Sequence, residues 1–329
     1  MDYHLDVIAN KYAEGLQGWR PFAGGLRSAA SGDATYLDAA GLLSAWKDQP
    51  RIDTFLYRDV VAMYAALQQP WETRFQSYGT CVAQATTECN TGLMAQRVVH
   101  GLDEWQGEPC VAGSYAGGRV NIANQPGGWE GSNGNWSVKF FQKYGVLLRK
   151  HIGLDDNGRK AEQADEDLAM KWTSSRQGVP SDMLAKCAPF KVKFWTYLDD
   201  SNTPEDVGLF LQNGFFVTHG SQYWVSPGMT GDSDGICRAS SQRGGHQQHW
   251  NSVRWTADGK LMACLDRNSW GTGYGKTVKH RFPDDQPDGT VWEDRQSIDY
   301  RLKRGEVIAF AGPDGFTSPK LDYHLLRRK

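Results

Sequence analysis

The chain has 329 residues, 40% of them apolar, enough to bury one large core or two modest ones. Its formal net charge of −2 and pI near 6.4 give no basic face for nucleic acid, and no stretch of roughly 18 apolar residues offers a membrane span. The first residues, Met1 to Asp6, lack the basic and apolar regions of a signal peptide, which predicts an intracellular or virus-borne protein.

In chain order, residues 1–70 read as a helical extension. Asp53 and Thr54 are placed to cap a helix carrying Phe55, Val60, Val61, Tyr64 and Leu67, stopped by Pro70. A second helix starts at Thr80 or Cys81 and runs through Ala85, Cys89, Met94 and Val98. Residues 101–135, rich in Gly, Asn and Pro, predict an extended, loop-dominated stretch. Helix returns at 136–143, before Gly145, and near 161–172.

From about residue 190 the pattern turns to strands. Residues 191–198 alternate. Thr203-Pro204-Glu205-Asp206 opens a helix with proline in its first turn and acids at the positive end of its dipole, and Gly214 ends it. Strands follow at 215–218, at 246–255 and 260–267 around an Asp258-Gly259 turn, at 291–292 and at 307–310. Helices first and strands later make an α+β chain.

Three patterns carry chemistry. Cys81 opens a helix after Gln76-Ser77-Tyr78-Gly79-Thr80, where unpaired backbone N–H groups favour a thiolate and its own N–H faces a developing oxyanion. His246 follows two glycines at the head of a strand. Asn268-Ser269-Trp270-Gly271-Thr272-Gly273-Tyr274-Gly275 supplies an amide able to hold an imidazole in one tautomer and an indole to shield it.

These blocks resemble, in the same chain order, those of the papain-like cysteine peptidases. Gly131-Ser132-Asn133-Gly134-Asn135-Trp136 is similar to the segment that walls the family's substrate groove. The resemblance covers roughly residues 72–312 and implies a two-lobed α+β fold: a helical lobe (about 71–165), then a β-rich, barrel-like lobe (about 190–312). The extension (1–70) and a tail (313–329) lie outside it. It implies thiol-dependent hydrolysis of peptide bonds, with no cofactor and no metal. Cys81 is the implied nucleophile, His246 the base, Asn268 its orienting amide and Gln76 the second oxyanion donor. Gly134, Asn135, Gln247 and Trp270 flank the substrate.

Several positions depart from the family pattern. Val82 replaces an aromatic, Asn135 replaces a glycine, and Gln76 stands one position nearer the nucleophile than usual. Insertions in 95–130 and 151–190 lengthen the spacing. A two-residue Asp258-Gly259 turn would set His249 opposite Asn268, so His249 is the alternative base; a bulged or longer turn returns the role to His246.

Secreted relatives join the loop before the nucleophile to the groove segment by a disulfide, and Tyr78 and Ser132 occupy those positions here. A disulfide-free protein is therefore expected, against the alternative of a new bridge such as Cys110 to Cys237. Two rival functions stay open: an assembly protein, for instance of a virion, with contacts through 1–70, and an amidase of cell-wall peptides. The extension is expected to dock as a scaffold rather than cover the cleft.

Overall fold

The computed structural model describes residues 39–127, 129–153, 161–187, 192 and 194–311. The expectations for residues before 39, for the 313–329 tail and for the first positions of the strand at 191–198 lie outside the described residues.

The described part of the extension is bound into the main core. Helix α1 (Ala39–Trp46) sets the Trp46 ring edge-on to Phe210 and Phe215, at 5.2 and 5.8 Å. The helix expected from Asp53 begins later. Asp53 Oδ1 instead accepts the Trp255 N–H (2.7 Å), and Thr54–Phe55 pairs as strand β1 with Val253 and Ser252. Helix α2 (Tyr57–Ala66) follows; it buries Val60, Met63 and Tyr64 and leaves Val61 in water.

Helix α3 (Cys81–Val99) is buried from Cys81 to Ala95 although half polar. Its threonines make this possible. Thr86, Thr87 and Thr91 return their hydroxyls to the carbonyls of Val82, Ala83 and Thr87, at 2.8, 2.7 and 3.1 Å, so no donor is stranded. A Cβ at Gly92 would lie 2.2 Å from the Phe216 ring, so glycine is what lets the helix settle on the sheet.

The loop expected over 101–135 contains helix. Val111–Ala116 forms α4 and Gly117–Ile122 a π-helical turn. Two things override the glycines. Asp165, distant in sequence, accepts the Val111 and Ala112 N–H groups (2.9 and 2.8 Å), a cap that no local window contains. Glycine is also required by packing, since a Cβ at Gly117 would meet the Phe140 ring at 2.3 Å.

Helix α5 (Gly134–Lys143) is capped by the Asn133 side chain, which accepts the Asn135 N–H, and ends before Gly145 at φ +91°. Helices α6 (Ala161–Ser174) and α7 (Ser181–Ala185) complete this half. Helix α8 (Pro204–Gln212) starts where expected, and its start is closed by a capping box between Thr203 and Asp206.

The strands are β2 (Phe194–Leu198), β3 (Phe216–Trp224), β4 (Ile236–Cys237), β5 (Ser240–Trp255), β6 (Leu261–Arg267), β7 (Thr290–Asp294) and β8 (Glu306–Ala311). They form one sheet in the order β2-β8-β3-β5-β6-β7-β4, with β1 added on β5. All pairs are antiparallel except β4 with β7. The expected antiparallel lobe is present, and among the described residues its sheet does not close into a barrel. Helix α9 (Arg295–Arg304), absent from the sequence reading, is capped by Asp294 and packs on β3. Helix α3 lies against β5 and β3, and its first residue, Cys81, meets Gln247 midway along the long strand β5.

Candidate active site

Strand register decides which histidine meets Asn268. The β5–β6 connection is not a two-residue turn. The Thr256 N–H bonds to the Lys260 carbonyl (2.9 Å), and Gly259 at φ +79° takes the left-handed position within the loop. The ladder then pairs His249 with Arg267 and Trp250 with Asp266. His246 instead sits nearer the start of β5, and its Nε2 lies 2.8 Å from Asn268 Oδ1.

The imidazole is packed as well as hydrogen-bonded. It stacks on Trp270 at 4.4 Å and 23°, and Trp224 stands edge-on to both rings, 5.8 Å from His246 and 5.0 Å from Trp270. Asn268 Oδ1 also accepts the Ser269 N–H at 2.7 Å, which fixes the amide's orientation. Burial pushes the imidazole down to about 3, the Asn268 bond pulls it up and Arg301 adds to the lowering. His249 is likewise pushed down to about 3 by burial, but its charged neighbours are Glu88, Arg267 and Arg74. It belongs to the buried ion-pair cluster in which Glu88 binds Arg74 (2.6 Å), with Arg267 at 3.5 Å.

Cys81 is the first residue of α3 and is fully buried. Desolvation pushes its thiol up to about 12, while N–H groups of Gln247, Val82 and Cys81 itself draw it down. The Gln247 contact brings the sulfur to the residue that follows His246. Gln76 is tied across to the Asn268 segment. Its backbone N–H bonds to the Ser269 carbonyl (2.8 Å), its Oε1 accepts the Ser269 hydroxyl (2.5 Å), and its Nε2 donates to the Tyr78 carbonyl (3.0 Å).

The groove residues meet an acid that the sequence reading missed. Glu306 accepts the Gly134 N–H (2.9 Å) and the Asn135 N–H (3.3 Å), so β8 caps helix α5 from across the fold. A Cβ at Gly134 would lie 2.7 Å from Glu306 Oε2 and 3.0 Å from Gln247 Nε2. Gln247 and Asn135 are both buried there. The only sequence signal for Glu306 is an acid at the head of an otherwise apolar strand. Trp224 was missed as well, because nothing near it marks a site.

Among the described residues, His219, Asp266 and Glu293 are the group whose donor atoms converge closely enough for a metal. Most of its acceptor positions are already taken. His219 Nε2 bonds Asp266 Oδ1 (2.8 Å), Gln248 and Tyr274 donate to Asp266 Oδ2, Trp250 donates to Glu293 (3.0 Å), and Arg301 pairs with Glu293. This is an ion-pair network under the sheet.

No family model and no curated protein matches the chain. Solved structures do. It is similar to xylellain, a cysteine protease from Xylella fastidiosa, with a TM-score of 0.58 at 15% identity over 90% of this chain and 96% of that one. It is also similar to proCathepsin B S9 from Trypanosoma congolense, with a TM-score of 0.50 at 14% identity over 95% and 98%. With its N-terminal helices packed on an open, mostly antiparallel sheet, the chain has the papain-like fold.

Proposed function

We propose that the protein is a papain-like cysteine peptidase that hydrolyses peptide bonds through Cys81, His246 and Asn268. The observation that carries this reading is the His246–Asn268 bond of 2.8 Å under the Trp270 ring, with the Cys81 sulfur against the adjoining Gln247 N–H.

Asn268 holds Nε2, so Nδ1 is the ring nitrogen that serves the thiol. Burial favours the neutral thiol and the neutral imidazole. Moving one proton from Cys81 to His246 leaves the pair's net charge unchanged, so the thiolate forms together with the imidazolium as the carbonyl is attacked. The sulfur bonds the carbonyl carbon, and the oxygen becomes an oxyanion held by the Cys81 N–H and by Gln76 Nε2, which exchanges the Tyr78 carbonyl for it. His246 gives its proton to the leaving amine. Water, deprotonated by His246, then cleaves the thioester and restores the thiol. Gly134, Asn135 and Gln247 form a polar wall beside the reacting carbonyl.

The test is labelling with a thiol-directed epoxide followed by intact and peptide mass. One adduct on Cys81, lost in Cys81→Ala, supports the reading. A folded protein that takes no adduct on Cys81 refutes it. Casein cleavage separates a general peptidase from an amidase that releases amino groups only from peptidoglycan.

A further inference from the structure

The four residues ahead of Cys81 each donate a hydrogen bond to a carboxylate from elsewhere in the chain. The Ser77 N–H reaches Glu166 Oε2 at 2.6 Å, the Tyr78 hydroxyl reaches Asp167 Oδ1 at 3.0 Å, and the Gly79 N–H reaches Glu130 Oε2 at 2.5 Å. The Thr80 hydroxyl donates to Glu166 Oε1, which also accepts Gln84 Nε2 (3.2 Å) one turn into α3. A solvated acidic face would leave the Asp165-Glu166-Asp167 run of α6 in water. Instead all three side chains are engaged, and Asp165 turns away from its neighbours to cap α4 and pair with Arg149 at 3.1 Å. Helix α6 is thus anchored on one side and grips the loop on the other.

Charge-assisted bonds to backbone N–H groups are short and strong, and the loop has no cysteine of its own through which to be tied. We propose that Glu166, helped by Asp167 and Glu130, is a positioning residue for Cys81: a carboxylate clamp fixes residues 77–80 and so sets where the sulfur and the Cys81 N–H stand relative to His246. This rests on Cys81 being the nucleophile proposed above. Burial raises the Glu166 carboxyl, and the bonds from Thr80, Ser77 and Gln84 pull it back toward the ionised form. A cavity of about 1060 Å³, lined by Ser77, Tyr78, Glu166 and Asp167 among others, borders the clamp.

The experiment compares wild type, Glu166→Ala, Glu166→Gln and Asp167→Asn by the rate of epoxide labelling at Cys81, by amide hydrogen exchange over residues 76–84, and by melting temperature. Labelling is read well below the lowest Tm. The clamp predicts labelling slowed about tenfold or more in Glu166→Ala, since a displacement of about 1 Å at a reacting atom is costly, with faster exchange confined to the loop. Glu166→Gln keeps the shape and one acceptor, and should recover much of the rate. A purely structural residue would lower Tm without slowing the label. If Glu166→Ala does not fold, Asp167→Asn, which weakens the Tyr78 bond by removing the carboxylate charge while keeping an acceptor, should still slow labelling about twofold. Wild-type labelling and exchange in the folded variants overturn the clamp. If wild type takes no label on Cys81, the peptidase reading fails, and the exchange comparison still judges whether the carboxylates hold the loop.

Discussion

His249 stands across the ladder from Arg267, while His246, three residues earlier on the same strand, reaches Asn268 at 2.8 Å. The two histidines are equally buried and equally pushed down, to about 3, so acidity does not separate them; partners do. His246→Ala should lower kcat/KM by several orders of magnitude, because a base and its nucleophile act as a unit. His249→Ala should cost stability through the Glu88 cluster and leave kcat within about tenfold. Steady-state kinetics on both folded variants checks this, and the reverse ranking would hand the role of base to His249.

Cys81→Ala should abolish turnover with the fold intact, and the thiols elsewhere should be dispensable for chemistry. They are not equal for stability. Cys89 and Cys264 are buried, so serine there sinks a hydroxyl and costs roughly 1–3 kcal/mol, whereas half-buried Cys187 tolerates it. Cys110 Sγ lies 2.9 Å from Asp165 and all six cysteines are free thiols, so adding reductant should leave Tm unchanged. Melting curves with and without reductant, and peptide mapping without it, are the check.

How much of this was legible in the sequence follows the range of the forces involved. Helix α8 was readable because its start signal is local: Thr203 and Asp206 cap each other, and Pro204 sits at the first turn. Helix α3 was readable from the helical spacing of Ala85, Cys89, Met94 and Val98, and the Asn268 block because its residues are contiguous. Helix α4 was not, because Asp165 caps it from a distant helix, and packing on Leu147 and on the Phe140 ring, not the backbone, demands Gly113 and Gly117. Strand β1 was missed because Asp53 spends its carboxylate on Trp255. The choice between His246 and His249 turned on the loop at Gly259, where one residue of turn length reverses a strand's faces. Glu306 was invisible as a groove residue, since only the folded sheet brings it to Gly134.

Gly134→Ala should be poorly tolerated. The added Cβ would stand 2.7 Å from Glu306 Oε2, and the Glu306 bonds to Gly134 and Asn135 N–H groups would be pried apart. Glu306→Ala makes the complementary loss, leaving two buried N–H groups at the start of α5 without that acceptor. About 1–3 kcal/mol is expected for each change, and less than their sum for the double variant, because both break the same contact. Denaturant melts of the two single variants and the double variant check this.

Acid should weaken the fold partly through His249, and the sign is fixed by its surroundings. Burial holds its imidazole at about 3 in the folded protein, against an ordinary value near 6.5 in the unfolded chain. Between those values the unfolded chain binds a proton that the folded one refuses, so this contribution is complete above about pH 6.5 and is lost as pH falls toward 3. Other buried groups complicate the total: His219 and His246 act in the same direction, while Asp266, Glu293 and Glu166, raised by burial, act in the opposite one. A difference measurement removes them. The stability of wild type minus that of His249→Gln, followed by urea melts from pH 7 to pH 4.5, should fall by up to about 1.4 kcal/mol per pH unit below 6.5. A difference that stays flat over that range would mean that His249 is protonated in the folded protein, paired with Glu88, and that the Glu88 charge outweighs desolvation at this site.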